Sequence, residues 1–205
     1  MRTRGYRTHR SRIGINVGCS EKQCGRLEMR LERIAADTGQ RVAIIGHSRG
    51  GILTKALAAA RPDLVAGIIT LGSPTHASKA RDRPDAELAA RIVASGHLPN
   101  LLSWKCLSGT CPTRFRRALV GSFPPSVSFV SIYSRRDAIV SWRACRDPAA
   151  RHVEVDATHL GLAHNSAVYL DVTSALHTFW APSAQPLHHR AATRALAWGR
   201  ALAPR

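Results

Sequence analysis

An apolar run, Arg41-Val42-Ala43-Ile44-Ile45, leads directly into Gly46-His47-Ser48-Arg49-Gly50-Gly51, and this junction constrains the fold more than any other feature of the chain. Val42 to Ile45 is short, β-branched-rich and apolar on both alternations, the pattern of a central parallel strand covered on both faces. Downstream, Ile52, Leu53, Ala56, Leu57 and Ala60 recur at helical spacing until Pro62 stops the run. A second apolar run, Leu64 to Leu71, closes at Gly72-Ser73-Pro74. The order is strand, sharp turn with a serine at its apex, helix, strand: a βαβ unit. Small residues beside the serine suit a turn in which backbone segments pass too close for a Cβ. The pattern G-x-S-x-G alone arises by chance in roughly one 200-residue chain in fifteen at ordinary composition, so its context carries the argument.

That context continues to the carboxyl end. Val127 to Tyr133 resumes strand character and ends at Ser134-Arg135-Arg136-Asp137-Ala138-Ile139-Val140. His152 to Val155 is a last short strand, followed by Asp156-Ala157-Thr158-His159 and a helix expected from about Ala163 to Trp180. Upstream, Ser20 to Gln23 fits a capping box, and Leu27, Leu31, Ile34 and Ala35 mark an amphipathic helix ending at Thr38-Gly39. Between Pro74 and Pro125 the pattern turns irregular, with a short helix expected from Pro84 to Ser95 carrying Leu88, Ile92 and Val93 on one face. Such an excursion is expected to overhang the serine as a lid, with Leu98, Leu101, Leu102 and Trp104 offering an apolar acyl pocket.

A serine hydroxyl needs a base within hydrogen-bond reach and an acid to orient that base. Functional loops of open α/β sheets gather at the carboxyl ends of the strands, and Ser48, Asp137 and His159 each follow a strand end, in the chain order Ser, Asp, His. His164 or His152 could replace His159, and Asp147 or Asp156 could replace Asp137, although Asp156 is too near His159 in sequence to occupy a separate strand end. His47 reads as a packing residue rather than a second base.

On these residues, together with Leu-Gly-Ser-Pro at 71 to 74 and Thr-His-Leu-Gly-Leu at 158 to 162, the chain resembles α/β-hydrolase fold proteins of the bacterial esterase/lipase-like kind over about residues 13 to 180. The resemblance implies a mostly parallel sheet flanked by helices, an acyl-enzyme mechanism without cofactor or metal, and a small-molecule or lipid ester as substrate. It implies Ser48 as nucleophile, His159 as general base then acid, Asp137 as its orienter, and the Arg49 backbone N–H as one oxyanion donor. An acyltransferase using the same triad is a variant. The resemblance also implies strands ahead of the first helix, one of them followed by a Gly-rich loop that completes the oxyanion hole. Only 47 residues precede Ser48, and Ile13 to Gly18 looks like the tail of that region. The chain is therefore expected to be an N-terminally shortened member with an unpaired sheet edge prone to self-association. Loss of one oxyanion donor would slow the reaction about 10²- to 10³-fold.

Charge sets the remaining limits. Lys and Arg number 30 against 13 Asp and Glu, for a formal charge of +17. Such a field attracts polyanions, yet 26 of the 30 are Arg and they are scattered, as a GC-rich genome would write them. Non-specific affinity for anionic partners is the alternative function; sequence-specific nucleic-acid binding is not expected. The expected organisation is a basic, mobile arm over 1–12, a hydrolase-like domain over 13–180 with a lid or cap at 74–126, and a basic tail over 181–205. The arm lacks an apolar segment behind it, so it is not a secretory signal. No run is long enough to span a bilayer, and a cytoplasmic location is the expectation. Five cysteines give no disulfide framework: Cys106 and Cys111 could bridge across a turn, while Cys19, Cys24 and Cys145 read as structural.

Overall fold

The computed structural model describes residues 1–13, 16, 19–76 and 113–179. The elements are α1 (Ser20–Thr38), β1 (Val42–His47), α2 (Arg49–Ala60), β2 (Val65–Leu71), α3 (Thr113–Val120), β3 (Ser128–Tyr133), β4 (Arg151–Glu154), α4 (Gly161–His164) and α5 (Ser166–Phe179). The four strands form one sheet in the order β1-β2-β3-β4, every neighbouring pair parallel. Parallel strands need crossovers; α2, which supplies the first, lies with α1 on one face of the sheet, and α5, which follows the last strand, covers the other.

Strand alternation sorts the core into two layers. Ile69 and Leu71 of β2 with Val130 and Ile132 of β3 face α5, where Val168, Val172, Ala175 and Leu176 close over them. Val65 and Ile68 with Phe129 face the opposite way, against Leu31 of α1 and Leu57 and Ala58 of α2. Helix α2 is buried from Gly51 through Ala58, including Thr54 and Lys55. The Lys55 Nζ donates to the Thr75 carbonyl at 3.0 Å and pairs with Asp147 at 2.5 Å.

Several sequence expectations are corrected. β1 is not a central strand covered on both faces: it ends the described sheet, and Ile45 is 43% exposed. Apolar alternation cannot tell an edge from a centre. The capping box does not form. Cys19 is the N-cap of α1 without a side-chain cap bond, and Ser20 lies inside the helix, its hydroxyl accepting from Arg49 Nη2 at 2.9 Å. The terminal helix breaks at Asn165, whose Oδ1 accepts from the Ala167 N–H at 2.9 Å and starts α5 anew. Helix α3 packs on α2 within the excursion that was expected to overhang the serine. Cys24 and Cys145 are buried and Cys19 partly so, all three unbridged.

Residues 1–12 open with a 3-10 turn at Arg2–Arg4, and Met1 and Tyr6 lie on the α5 face of the core. The expected helix at 84–95, the apolar residues at 98–104, Cys106, Cys111 and the tail over 181–205 lie outside the described residues.

Candidate active site

The junction of β1 and α2 is where the backbone is least ordinary. Ser48 has φ 55° and ψ −127°, a conformation that costs a non-glycine residue of the order of 1–3 kcal/mol and persists only where the surroundings enforce it. They do so here. The Ser48 N–H donates to the Leu71 carbonyl of β2 at 2.9 Å, and the Ser48 carbonyl accepts from Gly51 at 3.0 Å. A Cβ on Gly46 would stand 2.6 Å from both the Gly50 oxygen and Thr54 Oγ1, and one on Gly51 would collide with the Ser73 side chain. At Gly50 the same test meets only Asn16 Nδ2, at 3.7 Å. Gly46 and Gly51 are thus the glycines the turn requires. Arg49, buried, ties the turn to the preceding segment: its Nη1 donates to the Asn16 carbonyl at 3.0 Å and to Asn16 Oδ1 at 2.9 Å.

Asp137 and His159 meet beyond the ends of β3 and β4. His159 Nδ1 lies 2.7 Å from Asp137 Oδ2, with the two side chains 7% and 1% exposed. The other carboxylate oxygen accepts from the Ile139 and Val140 N–H groups, both at 2.8 Å. Burial alone would raise the Asp137 pKa, but the hydrogen bonds from His159, Val140 and Ile139 outweigh it and hold the carboxyl below its ordinary value. An ionised Asp137 accepts a hydrogen bond from the Nδ1–H of His159, which leaves Nε2 as the nitrogen with the free lone pair.

Three further residues arrange this pair. Gly72, at φ 51°, passes so close that a Cβ there would come within 2.9 Å of Asp137 Oδ2 and 3.3 Å of His159 Nδ1. Ser134 Oγ accepts from the Arg136 N–H at 3.0 Å and from the Ala157 N–H at 3.2 Å, so one buried hydroxyl joins the turn carrying Asp137 to the one carrying His159. His47, the residue before Ser48, has its Nε2 2.8 Å from the His159 carbonyl oxygen, and the two rings lie 4.7 Å apart.

Comparisons with known proteins agree with this architecture. Residues 28–95 match the model of the PGAP1-like alpha/beta domain. A stretch of 53 residues is 41% identical to a triacylglycerol lipase of Pseudarthrobacter phenanthrenivorans, covering 25% of this chain and 17% of that one. The same length is 41% identical to a triacylglycerol lipase of Burkholderia plantarii, at 25% and 15% coverage. The chain thus aligns with under a fifth of either curated relative. Among solved structures, a lipase of Bacillus licheniformis superposes with a TM-score of 0.55 at 16% identity, over 78% of this chain and 75% of that one. A thermophilic esterase of Thermogutta terrifontis does so with a TM-score of 0.51 at 16% identity, over 80% and 74%. The chain is a member of the α/β-hydrolase fold.

Within this fold the alternative site residues are engaged elsewhere. Asp147 is buried against Lys55, Asp156 pairs with Arg136 at the surface, and His152 Nε2 contacts the Asp147 carbonyl oxygen at 2.8 Å. His164 is exposed on α4. Cys145, the buried thiol beside the site, is pushed up to about 12 by burial and by the Asp137 charge, so it stays protonated. Among the described residues no helix is long and apolar enough to cross a membrane.

Proposed function

We propose that this α/β-hydrolase is a serine-dependent carboxylic-ester hydrolase working through an acyl-enzyme. The observation that carries the reading is the strained Ser48 at the carboxyl end of β1 together with the closed Asp137–His159 hydrogen bond beyond β3 and β4. Parallel strands bring those ends to one edge of the sheet.

In this reading Ser48 Oγ attacks the ester carbonyl carbon while His159 Nε2 accepts the hydroxyl proton. Asp137 stabilises the imidazolium that forms, and its fixed bonds to Ile139 and Val140 keep it from turning away. The carbonyl oxygen, now negative, takes a hydrogen bond from the Arg49 N–H at the start of α2, where the helix dipole favours negative charge. Collapse breaks the bond to the alcohol oxygen, which leaves with the proton from His159. Water, deprotonated by the same imidazole, then releases the acid and restores Ser48. The 41% identity to triacylglycerol lipases over 53 residues supports an ester over other acyl substrates.

A second reading, a basic surface that binds anionic partners, is favoured by one cluster. The guanidiniums of Arg135, Arg143 and Arg146 lie 4.7, 4.5 and 5.8 Å from the Trp142 ring centre. A single experiment separates the readings. A fluorophosphonate probe is expected to label the wild type and to spare Ser48→Ala, with His159→Ala and Asp137→Asn labelled orders of magnitude more slowly. Equal labelling of wild type and Ser48→Ala would end the ester-hydrolase reading and leave the anionic-partner reading standing.

A further inference from the structure

We infer that His47 is a positioning residue for the reaction: it holds the backbone of His159 in place from the strand that carries the nucleophile. The inference rests on the triad reading above and adds to it a fourth side chain.

His159 lies beyond the end of β4, in a stretch without ladder bonds. Its ring orientation is set by Asp137, but a ring held at one nitrogen still moves with its backbone. The His159 carbonyl is held by His47. At 2.8 Å the Nε2–H of His47 donates to that oxygen, so Nε2 carries a proton. The rings, 4.7 Å apart and inclined at 41°, are in contact as well. His47 is the last residue of β1 and Ser48 follows it directly. Without this bond, the placing of His159 relative to Ser48 would run through three inter-strand steps, β1 to β2 to β3 to β4. With it, one strand end carries both the nucleophile and the tether of the base.

The charge state of His47 suits the task. Burial is the main influence on its pKa and lowers it; the bond to the His159 carbonyl and the Asp137 carboxylate act the other way, and His159 and His164 add to the lowering. A neutral neighbour does not oppose the imidazolium that His159 becomes during turnover.

Two substitutions separate tethering from packing. His47→Phe keeps the ring and loses the donor; His47→Gln loses the ring and places an amide N–H near the former Nε2. On a short p-nitrophenyl ester, H47F is expected to lose about 10- to 100-fold in kcat, the scale of a small displacement of a reacting group. KM should stay within about threefold, because substrate binding is not what was removed. H47Q should recover most of the rate. The acid limb of the pH profile should stay in place in both. Activity of H47F within about threefold of wild type would overturn the inference, as would H47Q being as slow as H47F, or an acid limb that moves in H47F and marks His47 itself as the titrating group. If H47F does not fold, H47N takes its place, its amide too short to reach the carbonyl, with the same outcomes. Failure of the triad reading registers separately, as probe label on Ser48→Ala, and the inference falls with it.

Discussion

In the proposed site Asp137 takes three hydrogen bonds, from His159, Ile139 and Val140, and His159 is held by Asp137 and His47, an arrangement with a signature in pH. The His47 pKa is lowered in the folded chain chiefly by burial, whereas the unfolded chain takes up a proton at an ordinary histidine value of about 6.5. As pH falls through that value the unfolded state binds the proton first, so stability declines; above it the contribution is fully present. Asp137, also lowered, acts in the same direction further down, its contribution lost as pH falls below the ordinary carboxylate range. H47Q should therefore show a shallower loss of urea stability than wild type between about pH 7.5 and about pH 5.5; parallel slopes would contradict the buried-neutral account of His47. Ser48, Asp137 and His159 were recognisable in the sequence as candidates because each carries chemistry at a strand end, and the structure adds the bond between Asp137 and His159. Ser134 and Gly72 were not, since their work is done across the fold, on residues of other strands. His47 read as packing, which its ring contact supports, but its bond to His159 spans 112 positions and has no local trace.

The helices and strands followed from periodicity where burial was one-sided and departed from it where partners were remote. The apolar spacing of Ile52 to Ala60 indicated α2 but says nothing of Thr54 and Lys55, which are buried as well. Lys55 is tolerated there because Asp147, far along the chain, meets it with the two side chains 8% and 4% exposed. Removing one partner strands a charge in the interior: Lys55→Ala is expected to lower stability by ~3–5 kcal/mol. Lys55→Met combined with Asp147→Leu should regain most of it, since an apolar pair of similar size avoids the desolvation cost. Urea denaturation of the two variants decides, and equal losses in both would show that the ion pair is not what holds α2 to the turn after β3. β1 failed differently. Its four apolar residues match a central strand, and nothing within six residues reports whether a neighbour stands on the far side.

At the scale of the whole molecule that far side is the notable surface. A cavity of about 630 Å³ runs along the outer side of β1, with Val42 to Ile45 on one wall, residues 5–11 on the other, and Leu27, Leu31 and Ile34 of α1 at its base. A strand at the edge of the described sheet with an exposed isoleucine is a template for another strand. Light scattering should find association that grows with protein concentration and is suppressed by Ile45→Lys; a chain monomeric at every concentration would count against an adhesive edge. Arg7, Arg10, Arg30 and Arg41 line the same cavity, with no carboxylate among its lining residues, on a chain whose formal charge is +17. Two copies approaching edge to edge repel one another before any strand can pair, and dissolved ions shorten the reach of that repulsion to about 10 Å at 0.1 M and about 3 Å at 1 M. For this chain, then, adding sodium chloride should promote clumping, and dilution into weak buffer should keep the molecules apart.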